Sequence, residues 1–203
     1  MTENFTELAF TDSVRKMQED YGTRATYKNF ESKAPTRNVL TPKEKDFVAR
    51  RDGFYVASLG EDGWPYMQFR GGPAGFLKVL DDKTLAFADF RGNGQFISAG
   101  NFDATSKSVL FLMDYAKRER LKVWAKAVVL RASEHPDLLV QMADSDYSAN
   151  IERIFKFTVE AFDWNCPQHI SQRYTPAEFK KAVELDPELR RSCCPDNGGA
   201  ASI

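Results

Sequence analysis

Five short segments hold the residue types best suited to chemistry. Arg70 ends a β-prone run and is followed at once by Gly71-Gly72. A guanidinium there can grip a phosphate through two parallel hydrogen bonds, and paired glycines let a ligand approach the backbone. From this segment alone, an ordinary arginine beside a turn is the commoner outcome. Lys78 interrupts the apolar run Phe76-Leu77-Lys78-Val79-Leu80, and strand alternation sets it on the face opposite Leu77 and Val79. It faces either solvent, the commoner case, or a polar pocket. Phe90-Arg91-Gly92-Asn93-Gly94-Gln95 leads from a strand into an expected helix, whose first N–H groups suit an anion. Neither a P-loop nor a complete dinucleotide fingerprint is present.

Further on, Arg120-Leu121-Lys122-Val123-Trp124-Ala125-Lys126 alternates strictly, so Arg120, Lys122, Trp124 and Lys126 share a face. That face is a solvated basic surface or the rim of an anion site. The segment Asp163-Trp164-Asn165-Cys166-Pro167-Gln168-His169 places Cys166 three residues before His169. Two ligands fall short of the four of a structural zinc, and no metal site is expected. Pro167 between them favours a rigid loop over an activated Cys–His pair. Trp164 and His169 can still line a pocket for a flat ring.

The elements that must position these residues can be read from capping and periodicity. Thr11 and Asp12 open a helix over 11–21 that Gly22 stops. Residues 22–40 read as irregular. Thr41-Pro42-Lys43-Glu44 is a capping box with proline at the first helical position, predicting a helix over 42–50. Strands are predicted over 54–59 and 64–70, over 76–80 and 84–89, and over 108–115 and 120–131, each pair forming a hairpin. A long strand closes the series over 153–164. Helices are expected at 93–100, 136–144 and 175–191, the last opened by a second capping box, Thr175-Pro176-Ala177-Glu178. The tail from Cys193 is expected to be mobile. With six or seven strands and no alternating βαβ units, the expected fold is mainly β, a small antiparallel barrel with peripheral helices. The expected organisation is an extension over 1–40, a barrel over 41–170, and a helix with a tail over 171–203.

Composition narrows the function classes. The 203 residues are 42% hydrophobic and 28% charged, as in ordinary globular chains. The 28 basic and 29 acidic side chains leave a net charge of −1, which disfavours nucleic acid as the main partner. No apolar run reaches the roughly eighteen residues of a membrane span. Three cysteines, two of them adjacent at 193 and 194, do not make a disulfide framework. With no signal-peptide pattern at the N-terminus, a cytoplasmic location is expected. Sixteen phenylalanines suit a packed β-rich core or a pocket for a flat ligand.

In order along the chain stand Asp62-Gly63-Trp64-Pro65-Tyr66, Arg70-Gly71-Gly72-Pro73, Gly75-Phe76-Leu77-Lys78-Val79-Leu80-Asp81-Asp82, Gly92-Asn93, Asn101, Leu110-Phe111-Leu112-Met113-Asp114-Tyr115 and Arg120-Leu121-Lys122-Val123. This succession, over about residues 42–131, resembles the flavin-binding proteins related to pyridoxamine 5'-phosphate oxidase. The ending Phe162-Asp163-Trp164-Asn165-Cys166-Pro167-Gln168-His169-Ile170 resembles one uncharacterised branch of that group. The resemblance implies a split β-barrel homodimer with FMN at the subunit interface. It implies an oxidoreductase acting on a small substrate, with NADH or NADPH as a candidate reductant; a flavin- or haem-binding sensor of the same fold is the alternative. It carries Gln68, Arg70, Gly71, Gly72, Lys78, Asn93, Gln95 and Arg120 over as cofactor-binding positions. Trp164 and His169 are then expected near the open face of the flavin ring. The chain departs from the family pattern in having Gly94 where a basic residue is usual and Ala125 where a glycine often stands. The arginine-and-histidine arrangement that holds pyridoxal phosphate in the true oxidase is not recognisable.

Overall fold

The structure is a computed structural model that describes residues 4–90, 94–142, 151–165, 167–186, 188 and 190. Its contacts divide the chain into two units, residues 1–113 with 120–166 and residues 114–119 with 167–203.

The first unit is built on an antiparallel sheet. Its strands are β1 (Gly53–Leu59), β2 (Pro65–Gly71), β3 (Lys78–Asp81), β4 (Thr84–Phe90), β5 (Lys107–Asp114), β6 (Glu119–Arg131) and β7 (Ile151–Trp164). They lie in the order β2-β1-β5-β6-β7-β4-β3. The expected strands are all present within a few residues. The hydrogen-bonded ladder is open, however, with β2 and β3 at its edges. It curls instead of closing: Phe54 on β1 meets Phe87 on β4 at 5.5 Å, although three strands separate them in the ladder. Right-handed twist summed over seven strands brings the concave faces together.

Phenylalanine fills that concave side. Phe87 stacks on Phe155 at 5.1 Å and on Phe157 at 5.9 Å, and Phe102 meets both edge-on. Leu77, Leu85, Leu110, Leu112, Leu121 and Val123 complete a core that excludes solvent. Alternation along β5 and β6 is the pattern of a sheet buried on one side.

Seven helices are described: α1 (Phe5–Ala9), α2 (Asp12–Asp20), α3 (Arg24–Lys33), α4 (Pro42–Ala49), α5 (Ile97–Thr105), α6 (Pro136–Met142) and α7 (Pro176–Leu185). Helix α2 starts at its Thr11 cap, α4 at its capping box, and Gly22 at φ 70° follows α2. The expectation of an irregular 22–40 is corrected, because residues 24–33 form α3. Local propensity there is weak, but Tyr27 packs on Phe10 at 5.5 Å, Phe30 on Phe5 at 6.1 Å, and Arg24 pairs with Glu31 at 2.7 Å. Tertiary contacts of this kind carry most helical stability. Helix α5 is also displaced from its expected start. Gly94 at φ 76° and Phe96 at φ 52° delay it to Ile97, and contacts to β1 then extend it to Thr105. Asn101 donates to Ser58 Oγ and Thr105 donates to the Leu59 carbonyl, both at 2.9 Å.

The second unit holds α7, whose capping box is formed by Thr175 and Glu178 as expected; α7 ends at Leu185, and beyond the Asp186 cap the described residues Glu188 and Arg190 are again helical. Tyr174 packs on Phe179, and the Arg173 guanidinium lies 5.3 Å from the Tyr115 ring centre. Gln172 donates to the Ala116 carbonyl at 2.6 Å.

Candidate anion-binding cavity

Strand β2 pairs with β1 in a register that sets Arg70 opposite Phe54, Gln68 opposite Val56 and Tyr66 opposite Ser58. Phe54, Val56 and Ser58 point inward, so Tyr66, Gln68 and Arg70 do too. The curl carries this row of polar side chains to the ends of β4 and β7 and the start of α5. Between them lies a cavity of about 240 Å³, lined from β4 by Asp89, from β7 by Arg153 and from the α5 side by Gln95, Phe96 and Ser98.

The cavity is organised by charge. Arg70 Nη1 donates to Asp89 Oδ1 at 3.0 Å, and Arg153 Nε donates to Asp89 Oδ2 at 2.9 Å. Asp89 is buried, with 8% of its surface exposed. Arg153 also pairs with Glu152 at 3.1 Å. The Arg70 guanidinium lies 5.3 Å from the Phe155 ring centre and 5.6 Å from that of Phe87. Its Nε is buried and finds no partner among the described residues. Ser98 donates to Gln68 Oε1 at 3.1 Å, tying the first turn of α5 to β2. No side chain caps the start of that nine-residue helix.

Of the positions singled out from sequence, Gln68, Arg70 and Gln95 line this cavity together. Asn93 lies outside the described residues. Gly71, Gly72, Lys78 and Arg120 are not part of the lining. At Gly71 and Gly72 the room is used by the chain itself: a Cβ would sit 2.9 Å from the Phe69 ring and 2.8 Å from Phe76, respectively. Lys78 begins β3 opposite Ala86. Arg120 is the second residue of β6, and its carbonyl accepts from the Asn165 amide at 3.2 Å. The rest of that basic face is engaged: Lys122 pairs with Asp163 at 3.8 Å, Lys126 with Glu160 at 3.6 Å, and Trp124 stacks on Phe5 at 5.8 Å. Burial raises the Asp163 carboxyl above its ordinary range despite Lys122 and Arg37 beside it.

Trp164 serves the core. Its indole N–H donates to Glu44 Oε1 at 2.7 Å, its ring meets Phe47 edge-on at 4.8 Å, and Lys43 Nζ sits 4.3 Å from the ring centre. Glu44 is buried and also accepts from Thr41, completing the α4 capping box. Burial alone would raise its carboxyl. The hydrogen bonds from Thr41 and Trp164 outweigh burial and hold it below its ordinary range. His169 belongs to the second unit, exposed in a turn at φ 64°. Cys166 lies outside the described residues. Among the described residues no cluster of His, Cys, Asp or Glu is placed to hold a metal ion, and no helix is long and apolar enough to cross a membrane.

Tyr66, Asp89, Phe96, Ser98 and Arg153 were not anticipated from the sequence. A signal existed for two of them: Asp89 stands two residues after Phe87 and Arg153 two before Phe155, each a charge continuing an inward row. The arrangement fits an anion. An uncapped helix start offers N–H groups and a partial positive charge, and the cationic Arg70 lines the same cavity. Its volume falls below the roughly 300–1,000 Å³ of a complete small-molecule pocket, so it suits a terminal group better than a whole cofactor.

Comparisons with known proteins follow the same residues. Residues 40–169 match the family model described as pyridoxamine 5'-phosphate oxidase. A search of curated proteins finds no match. Among solved structures, HupZ of Group A Streptococcus is 16% identical over 66% of this chain and 99% of its own, with a TM-score of 0.49. General Stress Protein 26 from Bacillus anthracis is 10% identical over 60% of this chain and 91% of its own, with a TM-score of 0.46. An FMN-binding protein from Syntrophomonas wolfei is 16% identical over 76% of this chain and 96% of its own, with a TM-score of 0.44.

Proposed function

The chain belongs to the pyridoxamine 5'-phosphate oxidase family, and from that premise we propose that it is an FMN-dependent oxidoreductase acting on a small substrate. One observation supports the cofactor assignment most directly: the uncapped start of α5 and Arg70 line the same cavity. In this reading the phosphate is received by the amides of Ile97, Ser98 and Ala99 and by Arg70. A helix N-terminus and a guanidinium together match a dianion's charge and its acceptor geometry. Gln68, held by Ser98, and Gln95 offer polar contacts to the chain that follows the phosphate. When bound, the flavin supplies electron or hydride transfer, and the protein supplies orientation and electrostatics.

The ring needs more wall than one chain offers. Met67 and Phe69 are exposed on the outer face of β2, and Phe96 and Ile97 are exposed beside the cavity. We assign this apolar surface to a second copy of the chain, which would complete the pocket. An exposed apolar patch of this kind is a surface suited to burial against another protein chain.

Mass and absorption spectra of the ligand released from purified protein test the reading. A phosphate-bearing flavin is expected, with riboflavin binding weaker than FMN. Bleaching by NADH or NADPH faster than for free FMN, followed by reoxidation in air, marks turnover. A protein that takes up neither flavin, or takes both equally, refutes the phosphate seat.

A further inference from the structure

Helix α5 begins on a strained residue. Phe96 stands at φ 52°, a region bulky side chains seldom occupy unless their surroundings hold them there. The Arg153 guanidinium lies 4.6 Å from the Phe96 ring centre. The same guanidinium donates to Asp89, whose other oxygen receives Arg70. Arg153 therefore touches both halves of the cavity, the helix start through Phe96 and the Arg70 guanidinium through Asp89.

We infer that Arg153 is the positioning residue of the anion seat, clamping Phe96 in its left-handed conformation and fixing the angle of Arg70 through Asp89. The inference rests on the phosphate reading above and deepens it. Asp89 and Glu152 take its Nε and Nη1, and direct contact of the remaining N–H groups with the anion is the alternative that the test below separates. The Gly94 position, without a side chain, contributes no charge of its own here. The role of Arg153 is to shape what the backbone amides and Arg70 present.

The full-length chain tests this with Arg153→Ala, alone and combined with Phe96→Gly, and with two measurements. The first is hydrogen exchange of the Gly100 amide, which donates to the Phe96 carbonyl at 2.8 Å and needs no ligand to report. The second is the ratio of FMN to riboflavin affinity, followed by flavin fluorescence. Arg153→Ala should speed Gly100 exchange and lower FMN affinity about tenfold while riboflavin affinity stays within about twofold. Glycine adopts positive φ without a clamp, so adding Phe96→Gly should slow that exchange and recover about threefold of the FMN affinity. Unchanged exchange in Arg153→Ala overturns the inference, as does equal loss of both flavins. A loss of FMN affinity that Phe96→Gly leaves unrepaired overturns it too, in favour of direct contact. If the native chain does not prefer FMN, the phosphate reading falls, while faster Gly100 exchange in Arg153→Ala still upholds the clamp. If the native chain prefers FMN and Arg153→Ala changes neither measurement, the clamp alone falls.

Discussion

Arg70 and Trp164 show how differently two suspected site residues end up. Arg70 lines the cavity with its guanidinium held by Asp89. Arg70→Ala should weaken FMN binding by about 10- to 100-fold, the loss of a charged hydrogen bond. Arg131→Ala should leave binding within twofold, since Arg131 is exposed and pairs only weakly with Glu134 at 3.4 Å. Equilibrium titration of both variants checks this, and equal affinities would remove Arg70 from the site. Trp164 spends its indole N–H on Glu44. Trp164→Phe should destabilise the fold by about 1–3 kcal/mol, because Glu44 loses a donor in a buried place. Thermal unfolding should show the loss while FMN affinity is retained; the reverse result would return Trp164 to the pocket. Arg70 could be singled out in sequence because a guanidinium before two glycines suits a ligand's approach to the backbone, although an ordinary arginine beside a turn is the commoner reading. The core role of Trp164 was not, since its partner Glu44 lies 120 residues earlier.

Elements with their own start signals were placed well, and those held by distant contacts were not. The capping boxes at Thr41 and Thr175 announced α4 and α7. Helix α3 depends on rings from α1 and its flank, and the start of α5 depends on Phe96 and Arg153, so neither could be read locally. The α4 cap makes a pH prediction. Glu44 has a lowered folded pKa, so its contribution is present above the ordinary carboxylate range and is lost as pH falls through the folded value. Glu44→Gln should therefore cost most stability near neutral pH, and the gap to the native chain should narrow on acidification. Chemical denaturation at several pH values measures it; a gap independent of pH would contradict the assignment.

At the scale of the molecule, alternation and turn chemistry foretold a mainly β chain with all seven strands. They pointed to a small barrel, whereas the ladder stays open at β2 and β3 and curls without closing, through twist accumulated over strands far apart in sequence. That curl gathers Phe54, Phe87, Phe155 and Phe157 into the core just below the cavity. Phe155→Ala should cost about 3–5 kcal/mol in denaturant unfolding and release bound flavin as well, since the ring also supports Arg70. Sedimentation at micromolar concentration should give about twice the 23.0 kDa of one chain, and Met67→Lys with Phe69→Lys should shift it toward the monomer and weaken flavin retention. A monomer that holds FMN as tightly would refute the shared pocket.

The pairing of β1 with β2 works as a parity rule. Even-numbered positions of β2 bring polar groups inward, and odd-numbered positions carry Met67 and Phe69 out to the surface. A one-residue slip in the hairpin would exchange the two sets wholesale, turning anion chemistry to the exterior and thioether and ring to the interior. The few residues of the Gly60–Trp64 turn thus set which side chains of β2 join the interior and which stay on the surface.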